Sequence, residues 1–148
     1  MTGKANKVGV YLCAKGAADA IEFYKKAFGA VATGPRILDP KNRIGHAEFT
    51  IGDTLLMISD EHPEAGILSP QSLGGTPIAL TLYVDDARAV YDRAVAAGAT
   101  PLRPVADQFY GERSGQVTDP FGFRWTVTQH IEDVSPEEMQ KRAKALYG

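Results

Sequence analysis

The sequence predicts an α+β fold made of two similar units, each with the order strand, helix and three strands. Period-two alternation of apolar residues, typical of half-buried strands, gives way to a helical period and then returns, and this whole order occurs twice. The two predicted helices end on related triplets, Phe28-Gly29-Ala30 and Ala97-Gly98-Ala99. A repeated order of elements indicates a repeated structural unit. Two βαβββ units are expected to curl their mixed sheets around a shared cleft, with the helices outside.

Length and composition narrow the class of protein. The chain has 148 residues, which is the size of a single domain, and a net charge of −2. No segment concentrates Lys and Arg, which argues against a nucleic-acid partner held through its phosphates. Cys13 is the single cysteine, so we expect no internal disulfide and a reducing compartment, the cytoplasm. The apolar run Val8–Ala14 is too short for a signal peptide or a membrane span, so no membrane partner is expected.

The first unit is predicted over about residues 8–59. Val8, Val10 and Leu12 alternate onto one face of its first strand. The period becomes helical from Ala17, and Gly29 ends the helix. Its four strands are predicted at Val8–Cys13, Ala30–Ile37, Ile44–Ile51 and Thr54–Ser59.

The stretch 60–77 follows, rich in Pro, Gly, Ser and acidic residues and without a clear period. It is longer than most connections inside a compact domain. It is therefore either a linker between the units or a functional loop.

The second unit is predicted over about residues 78–130. Its helix begins at Asp85-Asp86, where a carboxylate can cap the free amides, and ends at Gly98. Pro101 and Pro104 restrict the next strand to a sheet edge, and Trp125 falls on the core face of the last strand. Its strands are predicted at Ile78–Val84, Thr100–Ala106, Glu112–Thr118 and, after the turn Asp119-Pro120-Phe121-Gly122, Phe123–His130.

A last helix is predicted over about residues 135–146. Ser135 is a capping residue, Pro136 suits the first helical position, and Glu138 stands three residues after the cap. Such a helix lies outside the repeated order and is an addition to it.

The polar strand faces are expected to line the cleft, because the helices cover the apolar faces. By alternation these residues are Gly9, Tyr11, Cys13, His46, Glu48, Thr50, Leu55, Met57, Ser59, Ala79, Thr81, Tyr83, Gln116, Thr118, Arg124, Thr126, Thr128 and His130.

Several motifs resemble the vicinal oxygen chelate superfamily, which holds glyoxalase I, the bleomycin and fosfomycin resistance proteins and the extradiol dioxygenases. The helix Ala20–Gly29 and the turn Asp119-Pro120-Phe121-Gly122 are similar to that superfamily. Four further segments resemble the PhnB-like branch of that superfamily: Gly45-His46-Ala47-Glu48, Ile58-Ser59-Asp60-Glu61, 108–113 and 130–138. The resemblance covers about residues 8–142 and implies the paired-unit fold; one fold hosts many functions, so it does not choose among them.

The resemblance also implies four metal-ligand positions, one on each of four strands. They fall on Gly9, Met57, Ala79 and Thr126, and of these only Thr126 offers an oxygen ligand, a weak one. Divalent ions that prefer hard donors take imidazole or carboxylate ligands. We therefore expect no metal at the inherited site and no cofactor.

His46 and Glu48 lie two apart on one strand and therefore point the same way. They fit a relocated metal site completed by His130 or by Glu61-His62, a proton-transfer role for Glu48, or a hydrogen-bonded pair in the cleft wall. Cys13 is interpreted as a small buried hydrophobe, since no base is placed beside it in sequence.

Tyr110 and Arg113 stand beside Phe109 in a turn at the expected mouth of the cleft. They are either a clamp for a planar or anionic ligand or part of a surface loop.

Two classes of function remain open. The first is a metal-independent protein that binds or sequesters a small molecule, as the resistance relatives do. The second is an enzyme, either a metal-dependent lyase, isomerase or dioxygenase with a relocated site, or a metal-free acid–base catalyst using Glu48. A homodimer is expected, because the predicted edge strands are only partly protected. The predicted ligand-binding residues are Tyr11, His46, Glu48, Met57, Thr81, Tyr83, Tyr110, Arg113, Gln116, Arg124 and Thr126.

Overall fold

The computed structural model describes residues 6–148. They form two compact units, the first ending at Gly74 and the second beginning at Gly75. Each unit contains one mixed four-stranded sheet with two free outer strands, so neither sheet closes into a barrel within the described residues. The predicted α+β class and the order strand, helix and three strands are confirmed in both units.

The first unit packs one helix on one face of its sheet. Its elements are β1 (Val10–Ala14), α1 (Ala17–Phe28), β2 (Val31–Leu38), β3 (Ile44–Ile51), β4 (Thr54–Asp60), a 3₁₀ turn (Pro63–Ala65) and α2 (Pro70–Leu73). The strand order is β1-β4-β3-β2, with β1 and β4 parallel and the other pairs antiparallel. Tyr24 of α1 stacks on Phe49 of β3 with ring centroids 5.3 Å apart, and both side chains are fully buried. The aromatic pair anchors the predicted helix stripe to the sheet.

The predicted start of the first strand is wrong. Val8 is 96% exposed and lies outside β1. The parallel pairing with β4 runs only from Val10 to Ala14, so Val8 precedes the first partner and has no sheet surface to cover. Leu12 and Ala14 carry the buried face instead.

The second unit repeats this arrangement. Its elements are β5 (Ala79–Tyr83), α3 (Ala87–Ala96), β6 (Thr100–Asp107), β7 (Glu112–Thr118), β8 (Arg124–His130) and α4 (Pro136–Tyr147). The strand order is β5-β8-β7-β6, so β6 is an outer strand, as Pro101 and Pro104 require. Trp125 is buried on the predicted core face, where its indole Nε1–H donates to Asp119 at 2.9 Å.

Both predicted helix caps are confirmed. The Asp86 carboxylate accepts from the backbone N–H of Ala89, and the Ser135 hydroxyl accepts from that of Glu138. Helix α4 is held by Arg142, whose guanidinium donates to Glu132 and to the Phe109 carbonyl.

The segment after β4 folds within the first unit. The Glu61 carboxylate accepts from the backbone N–H of Ser69, and Arg43 donates two parallel hydrogen bonds to Glu64. The first contact closes the segment on itself, and the second attaches the 3₁₀ turn to the β2–β3 hairpin. None of the described helices is long and apolar enough to cross a membrane.

Candidate functional site

The open face of the first sheet brings together four of the predicted site residues. Strand pairing places Met57 between Tyr11 on β1 and Glu48 on β3. His46 lies two residues before Glu48 and so shares its face. Helix α1 covers the opposite face, where Phe49 is fully buried. The alternation pattern therefore assigned these four side chains to the correct face.

Three of these side chains form a continuous hydrogen-bonded chain. The Tyr11 hydroxyl lies 2.8 Å from His46 Nδ1, and His46 Nε2 lies 3.0 Å from Glu48 Oε1. The Tyr11 hydroxyl is also within 3.2 Å of the Gly45 carbonyl, to which it can donate. A carboxylate only accepts, so Glu48 favours the tautomer of His46 that carries hydrogen on Nε2. Glu48 thus orients the imidazole, and the imidazole reaches Tyr11.

A cavity of about 540 Å³ lies beside this chain. Its wall is made by the open face of the sheet on one side and by the 3₁₀ turn and its flanking residues on the other. The lining residues are Tyr11, Cys13, Gly45, Ser59, His62, Glu64, Ala65 and Ile67. Tyr11 is half exposed and belongs to both the chain and the cavity, so a molecule bound here would meet the phenol.

The loop side of the cavity is held by charged contacts. Arg43 pairs with Glu64 and with Asp39, its Nε lying 2.7 Å from Asp39 Oδ2. His62 Nε2 approaches the same Asp39 oxygen at 3.7 Å. The hydrogen bonds from Arg43 hold the pKa of Glu64 down at about 2, so Glu64 carries its charge throughout the ordinary pH range.

Two cavity groups are shifted toward their protonated forms. Burial, with added repulsion from Glu61 and Asp60, raises the pKa of the Cys13 thiol to about 11. Burial, together with Cys13 and the Glu48 carboxylate, also raises the pKa of Tyr11 above its usual 10.0. Cys13 is therefore a thiol in the cavity wall, and Tyr11 is a phenol that keeps its proton.

The second unit has its own polar row. Thr81, Thr126 and Gln116 lie side by side on β5, β8 and β7, and the Gln116 amide donates to the Thr126 hydroxyl at 3.0 Å. Arg124 is exposed one step along the same face, and Tyr83 is 72% exposed. These five predicted residues therefore belong to the face of the second sheet that α3 leaves uncovered.

One predicted lining residue of this face is buried. Thr128 is 1% exposed, and its hydroxyl donates to Glu112 at 2.6 Å. Thr128 nevertheless lines a second cavity, of about 310 Å³, together with Tyr83, Val84, Asp85, Gln129 and His130.

Tyr110 and Arg113 do not converge with the polar row. Arg113 alternates with Gln116 on β7 and so points to the opposite face, where its guanidinium pairs with Asp107 at 2.7 Å. Tyr110 packs edge-on against Phe109. A clamp role for Arg113 would require the guanidinium to leave Asp107.

The donor set does not fit the metal that the fold family implies. The side chains of Gly9 and Ala79 have no atom that can bind a metal ion. An added Cβ at Gly9 would lie 3.3 Å from the Met57 methyl group, so Gly9 and Met57 form an apolar corner. Within residues 6–148 no three His, Cys, Asp or Glu side chains converge on one point. Both ring nitrogens of His46 have partners, Tyr11 and Glu48. Each group expected to complete a relocated site has a hydrogen bond of its own: Glu61 Oε2 with Ser69, His62 Nδ1 with Asp60, and His130 Nε2 with Asp133.

Sequence reasoning named His62 only as a possible metal ligand and missed the other residues on the loop side of the cavity. His62, Glu64, Ala65 and Ile67 lie in the stretch that showed no period, and Gly45 contributes through its backbone. The unusual length of that stretch was the available signal, since long loops often carry function. The pairing of Arg43 with Glu64 had no local signature.

Comparison with known proteins identifies the family. The model of the Glyoxalase/Bleomycin resistance protein/Dioxygenase superfamily matches residues 6–127, and the chain belongs to this superfamily. An uncharacterised protein of Mycobacterium bovis is 40% identical over 133 residues, which cover 88% of this chain and 87% of that protein.

Solved structures agree with the fold. An Arabidopsis thaliana protein is 28% identical with a TM-score of 0.69, the match covering 87% of this chain and all of that one. A PhnB protein from Bacillus cereus has a TM-score of 0.61 at 19% identity, covering 84% of this chain and 99% of that one. The predicted superfamily is confirmed, and a PhnB protein stands among its structural neighbours.

Proposed function

We propose that this protein binds a small molecule, without a metal ion, in the cavity on the open face of its first unit. The observation that carries the proposal is the cavity of about 540 Å³ that contains the Tyr11 hydroxyl. Ligand sites commonly have volumes of about 300–1,000 Å³, with apolar walls and a few placed polar groups. The rings and aliphatic groups of Tyr11, Ala65 and Ile67 supply the apolar wall here. Cys13 has no disulfide partner, which supports a cytoplasmic site of action.

Cavity filling tests the proposal. N-Phenyl-1-naphthylamine is a neutral apolar dye that fluoresces when it leaves water, and we expect it to bind the wild-type protein. Ala65→Trp places an indole in the cavity and should weaken dye binding by about tenfold or more, since the indole competes for the same volume. Ala145→Trp adds the same side chain to an exposed position on α4 and should leave binding unchanged. Equal dye affinity in the wild type and in Ala65→Trp would show that the cavity is not the site.

A separate experiment tests whether ligand binding is independent of a metal ion. Dialysis against a chelator should leave the dye affinity unchanged, and zinc, nickel or manganese should not raise the melting temperature, because a ligand stabilises only a state that binds it. A rise with zinc that disappears in His46→Ala would instead establish a metal site on the open sheet face.

A metal-free acid–base enzyme is the second candidate, and the chain Tyr11–His46–Glu48 favours it. Glu48 would take the proton from the carbon beside a bound carbonyl, while the phenol of Tyr11 protonates the carbonyl oxygen and doubly protonated His46, whose Nδ1–H faces the phenol oxygen, returns a proton to Tyr11. The pKa of Tyr11 is raised, first by burial, so the phenol is neutral and holds its proton before a ligand binds.

Deuterium exchange measures this activity without knowledge of the substrate. The wild-type protein should accelerate exchange at the carbons beside the carbonyl of phenylacetone in D₂O, and Tyr11→Phe should abolish the acceleration while still binding the dye. If the wild type gives the buffer rate, or Tyr11→Phe keeps the wild-type rate, the enzyme candidate is excluded for this carbonyl class.

A further inference from the structure

We propose that the cavity of the first unit selects ligands that donate hydrogen bonds, an ammonium ligand above all, over carboxylates of the same shape. This inference rests on the proposed function, since it specifies the ligand class of the same cavity. It follows from where the hydrogens of the cavity wall point and from the charges around it.

The Asp60 carbonyl oxygen accepts hydrogen bonds from three side chains of the cavity wall. It accepts from Ser59 Oγ at 3.0 Å and His62 Nδ1 at 2.9 Å, and the Cys13 thiol lies 3.8 Å away as a weak third donor. A carbonyl oxygen cannot donate, so the hydrogen in each of these contacts belongs to the side chain. The hydroxyl hydrogen of Ser59 and the thiol hydrogen of Cys13 therefore point at the Asp60 carbonyl, and the lone pairs of their oxygen and sulfur atoms remain for a ligand.

The Tyr11 hydroxyl also donates its hydrogen bond to a group of the cavity wall. When His46 is neutral with hydrogen on Nε2, Nδ1 accepts the phenol proton, and the Gly45 carbonyl is left as an acceptor beside the cavity. When His46 is doubly protonated, Nδ1–H donates to the phenol oxygen and the phenol donates to Gly45. In both states the phenol proton has a partner in the wall, and acceptors face the ligand.

The charges around the cavity act in the same direction. Among the residues that line it, Glu64 carries the carboxylate, and no Lys or Arg is found. The guanidinium of Arg43 behind the loop is already shared by Asp39 and Glu64. Burial comes first in raising the pKa of both Tyr11 and Cys13, but Glu48 contributes at Tyr11, and Glu61 and Asp60 contribute at Cys13. A cation is therefore favoured here, and an anion would meet lone pairs and carboxylates.

A matched set of probes tests the inference near neutral pH and at low salt. 2-Naphthylmethylamine, 2-naphthalenemethanol and 2-naphthoate share one ring system and present an ammonium, a hydroxyl and a carboxylate. By isothermal titration calorimetry we expect affinity to fall in that order, with the ammonium at least about tenfold tighter than the carboxylate, the scale of one charge-assisted hydrogen bond.

A charge substitution at the cavity wall provides the matched variants. Ala65 is exposed and lines the cavity, so Ala65→Lys adds a cation and Ala65→Gln adds a neutral chain of nearly the same length. Ala65→Lys should reverse the order of the probes, and Ala65→Gln should keep it.

Three results overturn the inference. If naphthoate binds the wild type as tightly as the amine, the cavity does not select donors, although the proposed function stands. If the neutral dye binds and none of the three probes does, the selection is likewise refuted. If neither the dye nor any probe binds, the proposed function fails together with the inference.

Discussion

A single aspartate organises the turn before the last strand. The Asp119 carboxylate accepts from the backbone N–H groups of Phe121 and Phe123 and from the indole of Trp125, and it is almost fully buried. Asp39 makes the same turn in the first unit, accepting from the backbone N–H groups of Lys41 and Arg43. The fourth residue of each turn has a left-handed backbone, Asn42 with φ 61° and Gly122 with φ 93°. An Asp-Pro pair followed three residues later by Asn or Gly is thus a turn used once in each unit.

Asp119→Asn should destabilise the protein by about 2 kcal/mol, because the amide nitrogen of asparagine would place a donor against the indole N–H. Urea unfolding measures the change. Asp53→Asn, at an exposed turn, should stay within about 0.5 kcal/mol of the wild type. Equal losses in the two variants would mean that the bond to Trp125 contributes nothing specific.

Cys13 should react slowly with iodoacetamide, since its pKa of about 11 leaves little thiolate near neutral pH. At pH 8 the rate should be at least about tenfold below that of the same thiol in urea, and it should rise by about tenfold per pH unit up to about pH 10. A plateau near pH 9 would show that the environment of the thiol is ordinary and that the nearby carboxylates do not act on it.

The 3₁₀ turn and its flanking residues form the element that distinguishes the first unit. This segment carries half of the cavity lining and is attached to the β2–β3 hairpin by the Arg43–Glu64 pair. Its attachment is electrostatic and partly exposed, in contrast to the buried aromatic contact that holds α1. The cavity wall is therefore the part of this unit that pH and salt are expected to loosen.

Glu64→Gln should lower the melting temperature by about 1–3 °C at pH 7, the range for an exposed ion pair in a chain of this size. The folded-state pKa of Glu64 is depressed from 4.5 to about 2, so its contribution is fully present above about pH 4.5 and is lost as the pH falls through about 2. The difference between wild type and variant should therefore vanish near pH 2.

Differential scanning calorimetry between pH 2 and 7 follows this difference. Arg43→Gln and the double variant complete a cycle that separates the pair from the other contact of Arg43, with Asp39. A difference that persists unchanged at pH 2 would show that the carboxylate does not act through its charge.

At the level of the complete chain, we propose a homodimer. The outer strand β2 exposes Val31, Ile37 and Leu38 by more than half. An outer strand with exposed apolar side chains is a surface that natural proteins usually cover or protect. A second copy of the chain would cover it.

Light scattering should give a mass of twice 15.9 kDa at micromolar concentration. Ile37→Asp should shift the mass toward one chain, because a charge on the outer strand opposes association. Val8→Asp changes an equally apolar residue that lies outside the sheet and should leave the mass at two chains. A wild-type monomer would refute the proposal.

The features that the sequence predicted correctly are those that depend on local interactions. Strands β3 and β7 begin and end at the predicted residues, and the caps at Asp86 and Ser135 form as expected. Periodicity and capping depend on neighbours within one turn or one strand, so they can be read from the chain itself. The same reasoning placed Tyr11, His46, Glu48 and Met57 on one sheet face.

The repeated order of strand, helix and three strands, the two-unit fold and the faces of Tyr11, His46, Glu48 and Met57 were thus determined by the sequence alone. Only the tertiary structure decided that Tyr11 bonds His46 across 35 residues, that Arg43 reaches Glu64, and that the Asp60 carbonyl collects the donors of the cavity wall. These contacts depend on strand register and on the path of a loop without periodicity, and both are set by packing between distant parts of the chain. The same reason explains why Val8 is exposed against expectation, since burial depends on what covers a residue as well as on the face it occupies.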